Sequence, residues 1–135
     1  LDAVFYRKIL KTSRLLPNVK LGLELNFDEY KKQLISTDVV IVPSRSDTLP
    51  LISLHALAAE KILICSKTTG TSMYIDHGVS GFILESNAHD SISNILLQLD
   101  SLNDLKKISK KGKKVFKKYF SKNVFLNNLK NLLDN

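Results

Sequence analysis

The residues best suited to chemistry lie in a short loop between an apolar run and the start of a helix. Ser44, Arg45, Asp47 and Thr48 place hydroxyl, guanidinium and carboxylate groups within one turn, and Pro50 follows at a position suited to the first residue of a helix. Backbone N–H groups and the positive dipole end at a helix N-terminus favour phosphate. The loop therefore suits an anionic ligand, although Ser, Asp and Thr in such loops are also common helix caps.

A second polar loop follows the next apolar run. Residues 66–71 read Ser-Lys-Thr-Thr-Gly-Thr, and Gly70 permits close approach of the backbone to a ligand. The alternative is an ordinary strand-to-helix loop. The sequence contains neither G-x-G-x-x-G nor G-x-x-x-x-G-K-[ST], which argues against the common dinucleotide and P-loop sites. If the two loops are neighbours, they form an anion-binding cleft.

A parallel sheet would bring the two loops together. Apolar periodicity predicts helices over 2–14, 27–35 and 50–59, a short helix near 71, and further helices from 87–90, over 102–120 and after Ser121. Strands are predicted at 19–22, 39–42, 61–65 and 82–84. This alternation indicates an α/β fold, a Rossmann-like parallel sheet with helices on both faces and the C-terminal helices packed alongside. Ligands of such sheets bind beyond the carboxyl ends of the strands, where both loops lie.

Length and composition predict one domain over residues 1–135, because 135 residues with 44% hydrophobic content can bury a single core. Cys65 is the one cysteine, so no internal disulfide can form, and its apolar neighbours predict a buried, inert thiol. No apolar run approaches the roughly 20 residues that cross a bilayer, and no signal peptide pattern is present. We therefore expect a cytoplasmic protein.

The net charge of +7 comes from the lysine-rich C-terminal helices at 101–135. This segment has ten lysines against Asp104 and Asp134, whereas residues 1–100 have ten basic against eleven acidic residues. Lysines between Lys106 and Lys118 indicate either a solvated helix face or peripheral contact with an anionic membrane at the inner leaflet. Without interleaved aromatic residues, a nucleic-acid partner that is read by base stacking is not expected.

Three further side chains are weaker candidates for a functional site. His77 and His89 fall in predicted turns without Cys, Asp or Glu at metal-ligand spacing, so no metal site is predicted. Tyr74 can stack on a base or pack a short helix, and packing is the preferred interpretation.

The order of these residues resembles the C-terminal domain of GT-B glycosyltransferases of family 4, a retaining group. Members show Pro-Ser, then an acid with Gly-Phe-Pro, then Glu-Ala, with seven residues between the two acids. Here the matching stretches cover nearly the whole chain and are Asp38–Pro50, Leu54–Ala58, Gly70-Thr71 and Asp76–Phe82.

The resemblance implies binding of a nucleoside diphosphate sugar as donor substrate, with no cofactor and no metal. Asp47 takes the position of the first acid, the catalytic position that contacts hydroxyls of the donor sugar. Backbone N–H groups near Thr48, Leu49 and Leu51 would hold the diphosphate, and His55 replaces the second acid, which grips the ribose. The other implied donor-binding positions are Ser44, Arg45, Thr69, Gly70 and Thr71. Thr48 replaces the usual glycine, and Met73 stands where an acid is frequent.

The resemblance also implies a fragment. The family's domain normally begins with a strand-helix-strand unit that supplies an Arg and a Lys, and this chain starts after it. The N-terminal acceptor-binding domain would be a partner within the same protein, and the fragment alone would be inactive. The complete enzyme would serve cell-surface polysaccharide or glycan synthesis. Two alternatives stay open: an inactive relative used for binding or scaffolding, for which His55 argues, and a basic helical module for nucleic acid.

Overall fold

A computed structural model describes residues 3–22, 24–85 and 89–134, without the side chains of residues 3–5 and 89. The chain divides into two compact units, Leu1–Gln33 and Leu34–Asn135. The single domain over 1–135 stays a prediction.

The first unit contains helix α1, Ala3–Ser13, and the start of helix α2, Phe27–Ser36. Asn26 begins α2 with a reciprocal cap, in which Asn26 Oδ1 accepts from the Glu29 N–H at 3.0 Å and Glu29 Oε2 accepts from the Asn26 N–H at 3.1 Å. The strand predicted at 19–22 is wrong, because these residues are irregular. Val19 and Leu21 are exposed, and two apolar side chains around a lysine give a strand too little to bury.

The second unit is built on a parallel three-stranded sheet. Strands β1, Val39–Val42, β2, Ile62–Ser66, and β3, Phe82–Leu84, lie in the order β1-β2-β3. Val39 pairs with Ile62 and Ile64 pairs with Phe82, so β2 is central and every one of its residues is buried. Its continuous apolar run suits a strand that is covered on both faces. The Rossmann-like parallel sheet predicted from the sequence is confirmed.

Helices follow each strand of this sheet. They are α3, Leu51–Ala58, after β1; a 3-10 helix, Gly70–Tyr74, after β2; and α4, His89–Ser101, α5, Leu105–Tyr119, and α6, Lys122–Leu133, after β3. Pro50 occupies the position before α3 rather than its first turn, one residue from the prediction. Of the predicted start at 87–90, residues 87 and 88 lie outside the described residues.

The last two helices begin at polar residues. Asp104 caps α5, which was not predicted: its Oδ1 accepts a hydrogen bond from the Lys107 N–H at 3.3 Å. Ser121 precedes α6 as predicted, without a side-chain cap bond in the described part of the chain.

Two apolar clusters cover the two faces of the sheet. One cluster joins Ile62, Ile64, Phe82 and Leu84 to Ile95, Leu99 and Ile108 of α4 and α5. The other joins Leu63 and Cys65 to Val42, Ile75, and Ala56 and Leu57 of α3, with Val115 and Phe116 of α5 against it. The predicted helices on both faces and the C-terminal helices alongside are confirmed. Cys65 is buried as predicted, and burial raises the pKa of its thiol.

Within the described ranges, none of the helices has the length and apolar character that a membrane span requires.

Candidate functional site

The two polar loops lie side by side beyond the carboxyl ends of β1 and β2. Because these strands are parallel neighbours, Val42 at the end of β1 pairs with Cys65, one residue before the end of β2, and the chain leaves both at the same edge of the sheet. The Ser66 hydroxyl donates to the Val42 carbonyl at 3.4 Å, and the Thr68 hydroxyl donates to the Ser44 carbonyl at 2.9 Å. From the sequence, hydroxyls of this loop were expected to hydrogen-bond a ligand, and the bonds to the first loop were not predicted. Because β2 pairs with β1, Ser66 at the end of β2 and Thr68 just after it lie beside the end of β1, and this pairing is the signal that could have indicated the two bonds.

Gly70 makes the closest contact between the two loops. Its N–H donates to the Asp47 carbonyl at 3.0 Å, and Asp47 and Thr69 form an isolated parallel bridge. A Cβ atom on residue 70 would lie 1.8 Å from the carbonyl oxygen of Thr48. The close approach expected at Gly70 is therefore an approach to the first loop, and it joins the two loops into one surface.

The Asp47 side chain forms a hydrogen bond within its own loop. The residue is half-buried, and its Oδ1 accepts a hydrogen bond from the Leu49 N–H at 3.1 Å. This bond closes a turn within the loop, whereas the N-cap position of α3 is Pro50 and has no side-chain cap bond, so Asp47 is not the helix cap that the sequence allowed. An ionised carboxylate offers several acceptor positions, so this bond leaves room for a second donor group.

Helix α3 begins directly after this loop. Pro50 has no N–H, and the Ser53 N–H donates back to the Pro50 carbonyl at 3.0 Å. The N–H of Leu51 belongs to the first turn, where backbone donors have no partner within the helix. Four residues later, His55 shares a helix face with Leu51, and both side chains are exposed.

Exposed side chains occur on the first of the two loops, residues 44–49 and 66–71, which we call the joined loops. Arg45, Thr48 and Leu49 are exposed, and Ser44 is half-buried. The first loop thus has a cationic group, Arg45, close in the chain to the carboxylate of Asp47.

Thr69 and Thr71 differ from the rest, because their side chains are 2% and 0% exposed. The Thr69 hydroxyl donates to the Ser66 carbonyl at 2.8 Å. The hydroxyl oxygens of Thr71 and Ser53 are buried and have no hydrogen-bond partner among the described residues. Any contact of Thr69 or Thr71 with a bound molecule would therefore involve the backbone.

Tyr74 packs against two aromatic rings at the end of α5. Its ring lies 5.0 Å from that of Tyr119 and 4.8 Å from that of Phe120, measured between centroids, so the packing interpretation is confirmed. The exposed His77 has a structural partner too: its Nδ1 accepts from the Ile83 N–H at 3.1 Å, and its ring lies 5.5 Å from that of Phe82. The described ranges contain no group of three or more His, Cys, Asp or Glu residues placed to hold a metal ion.

Comparison with known families gives the class of protein. The sequence model of the family described as Glycosyl transferases group 1 matches residues 5–115. The chain belongs to this family. The matched range includes both joined loops and the entire sheet, so the group 1 transferase assignment rests on the elements that build the site.

Individual relatives of this group 1 chain agree in sequence and fold. Lipopolysaccharide 1,2-N-acetylglucosaminetransferase of Salmonella typhimurium is 34% identical over 103 residues, which cover 72% of this chain and 27% of that protein. The C-terminal domain of the glycosyl transferase group 1 family protein LpcC from Francisella tularensis superposes with a TM-score of 0.77 at 20% identity, over 90% of this chain and 65% of that one. Anabaena Alr3699/HepE, solved in complex with UDP, gives 0.84 at 18% identity, over 98% and 37%.

The chain spans 35% and 27% of the lengths of two curated relatives that it matches. The structural likeness, at identities of 20% and below, establishes the fold.

Proposed function

We propose that this chain is the donor-binding, C-terminal part of a GT-B glycosyltransferase of family 4, and that it binds a nucleoside diphosphate sugar at the joined loops. One observation carries the proposal. The loop that contains Asp47 leads directly to the N-terminus of α3, and the Asp47 carbonyl accepts a hydrogen bond from the Gly70 N–H of the second loop. A helix N-terminus at the carboxyl edge of a parallel sheet is suited to a diphosphate. The UDP bound to the structurally similar HepE supports a nucleotide as the ligand.

Each predicted residue has a proposed role at this surface. The Leu49 N–H already donates to Asp47, so we assign the diphosphate first to the N–H groups of Thr48 and Leu51 and to the guanidinium of Arg45. The Asp47 carboxylate has acceptor positions beyond the one bonded to the Leu49 N–H, and these would accept hydrogen bonds from hydroxyls of the donor sugar.

The other positions complete the donor contacts. His55, on the same face of α3 as Leu51, would hydrogen-bond the ribose, and the Ser44 hydroxyl would donate a hydrogen bond to the diphosphate. The second loop would contribute backbone groups of Thr69, Gly70 and Thr71, since the Gly70 N–H is bonded to Asp47 and both threonine side chains are buried.

The complete enzyme would transfer the sugar with retention of anomeric configuration. The bond from the anomeric carbon to the diphosphate oxygen breaks, and the diphosphate keeps the electron pair. An acceptor hydroxyl oxygen bonds to the same carbon, and its proton passes to the departing diphosphate oxygen. Donors aimed at the departing oxygens stabilise the developing negative charge. The acceptor site would come from the remaining part of the protein, so this chain alone binds donor without transferring it. The name of the Salmonella relative supports an acceptor in cell-surface polysaccharide.

Asp47→Asn is expected to weaken binding of a UDP-sugar by roughly ten- to hundredfold, because a hydrogen bond to a charged group contributes about 1.5–3 kcal/mol. Asparagine keeps the side-chain oxygen that accepts from the Leu49 N–H, so the free energy of unfolding should change by less than about 0.5 kcal/mol. Calorimetric titration with UDP-glucose, UDP-N-acetylglucosamine and GDP-mannose measures the affinities.

Asp100→Asn is the matched control, since Asp100 is exposed on α4. It removes the same charge and should leave donor affinity unchanged. Equal weakening by both variants would show that only net charge matters, and absence of binding by all three sugars would reject the donor site.

A non-catalytic binding or scaffold role is the second candidate, and it is favoured by His55 in the position of the second acid. His55→Glu restores a carboxylate, which can accept two ribose hydroxyls where imidazole accepts one. We expect UDP affinity to rise about tenfold if the ribose lies at α3. A wild-type chain that binds no nucleotide, together with an unresponsive His55→Glu variant, would favour the scaffold role.

A further inference from the structure

The second loop, residues 66–71, uses hydrogen-bond donors within the protein. Its backbone N–H groups that donate to protein carbonyl oxygens, at 2.9–3.0 Å, are those of Lys67, Thr69 and Gly70. A backbone N–H carries a single proton, so a ligand cannot use a group that is already bonded in this way. The backbone of this loop therefore retains few donors for an anion.

Hydroxyl groups of the second loop are also bonded to carbonyl oxygens. The Thr68 hydroxyl donates to Ser44 at 2.9 Å, and the Thr69 hydroxyl donates to Ser66 at 2.8 Å. A carbonyl oxygen can only accept, so the proton in each bond belongs to the hydroxyl and points toward the carbonyl. The Thr68 oxygen keeps its lone pairs, and the side chain is exposed beside the first loop. Thr68 therefore meets a ligand as a hydrogen-bond acceptor.

The first loop has the opposite character. The Arg45 guanidinium has donors and no acceptor, and the Leu51 N–H belongs to the first turn of α3, so both groups suit the diphosphate. Lys67 is the one cation of residues 66–71, but its Nζ lies 2.8 Å from Oε2 of Glu85, the residue after β3. The anionic part and the hydroxyl-bearing part of a donor would thus lie against different loops.

We propose that the second loop binds the transferred sugar, and that Thr68 determines specificity by accepting a hydrogen bond from a hydroxyl of an uncharged hexose. This assignment rests on the donor site proposed above. Asp47, the other proposed acceptor for the sugar, forms a bridge with Thr69, which follows Thr68 in the chain. Two neighbouring acceptors suit a sugar with free hydroxyls. They disfavour a uronic acid, because its carboxylate would meet acceptor oxygens and the negative charge of Asp47.

Contact of the diphosphate with the second loop is the alternative. The side chains of Lys67 and Glu85 are 65% and 72% exposed, and an exposed ion pair is weak enough for a phosphate to displace. The alternative predicts that Lys67→Gln weakens binding of UDP and GDP about tenfold or more, since it removes a charge-assisted bond. We expect a change of less than about twofold, and a tenfold loss would overturn the proposal.

Thr68→Val tests the hydroxyl directly. Calorimetric titrations compare UDP-glucose, UDP-N-acetylglucosamine and GDP-mannose with UDP and GDP. For the sugar donor that the wild type binds most tightly, we expect the variant to lower the affinity about three- to tenfold. The affinity for the corresponding nucleoside diphosphate should change by less than about twofold, because that ligand lacks the transferred sugar. Loss of the bond to Ser44 alone would weaken both ligands equally.

Two matched variants complete this test. Thr68→Ser keeps the hydroxyl and should bind the sugar donor as the wild type does. Thr12→Val removes a threonine hydroxyl of α1 that is also exposed and also donates to a carbonyl oxygen, that of Lys8 at 3.0 Å. It should leave the affinities for the sugar donor and the nucleoside diphosphate unchanged.

Donors in which one sugar hydroxyl is replaced by fluorine identify the group that Thr68 accepts from, since fluorine cannot donate a hydrogen bond. One such analogue should bind the wild type about three- to tenfold more weakly than the parent donor does. The same analogue and the parent donor should bind Thr68→Val equally, because the interaction is already absent.

Three further results would overturn the sugar subsite. They are equal weakening of sugar donor and nucleoside diphosphate by Thr68→Val, losses that add for every fluorinated analogue, and binding of UDP-glucuronic acid as tight as that of UDP-glucose. A wild-type chain that binds UDP or GDP while any of these results is found keeps the donor site and loses the sugar subsite alone. A chain that binds neither nucleotides nor nucleotide sugars rejects both.

Discussion

Gly70→Ala should lower the free energy of unfolding by about 2–3 kcal/mol and abolish donor binding at the joined loops. The added Cβ would lie 1.8 Å from the Thr48 carbonyl oxygen, and this neighbour is backbone that cannot swing aside as a side chain does. Relief requires the loops to separate, which breaks the 3.0 Å hydrogen bond from Gly70 to Asp47. Urea unfolding gives the stability change, and calorimetry with UDP gives the binding change.

Gly22→Ala is the control for this prediction, because a Cβ at residue 22 meets nothing within 4 Å. Its free energy of unfolding should stay within about 0.5 kcal/mol of wild type, with unchanged UDP affinity. An unaltered Gly70→Ala variant would contradict the contact between the loops. If Gly70→Ala lost stability but kept its UDP affinity, the loops would be a structural contact and the donor site would have to lie elsewhere.

The sheet could be predicted from the sequence because its strands are continuous apolar runs between turn residues. Val39–Val42 and Ile62–Ser66 need no knowledge of their partners to be identified as strands, although only the second is buried throughout. The strand predicted at 19–22 shows the limit of this argument. A short run with two apolar side chains becomes a strand only where a neighbour supplies a ladder and a cover, and local sequence does not contain that information.

The candidate site was predicted less completely than the sheet. Loop position, Pro50 and the polar residue types identified both loops, since these depend on local sequence. The contact of Gly70 with Thr48 and the bond from Thr68 to Ser44 depend on strand register, which joins residues more than 20 positions apart. Burial of Thr69 and Thr71 was missed for the same reason: threonine in a polar loop resembles an exposed hydroxyl until the first loop is placed beside it.

Phe82→Ala is expected to produce the largest loss of stability, about 3–5 kcal/mol. Phe82 is fully buried, packs among the apolar residues between the sheet and α4, and lies edge-on to the His77 ring at 5.5 Å. Truncation leaves a cavity that the paired strands cannot close, because Phe82 is held in register with Ile64. Single domains are stable by only about 5–15 kcal/mol, so the urea midpoint should fall sharply.

The same variant separates the stability of the fold from the chemistry of the site. Phe82 pairs with Ile64 of β2, which precedes the second loop in the chain. The folded fraction of Phe82→Ala should therefore bind UDP within about twofold of wild type, unlike Gly70→Ala. Phe125→Ala removes an exposed ring and should cost less than about 0.5 kcal/mol. Phe82→Leu keeps most of the volume and should cost roughly 1 kcal/mol, so it provides a measurement if the alanine variant does not fold. Equal stability of Phe82→Ala and Phe125→Ala would mean that the first cluster is not the core that holds β3 to the sheet.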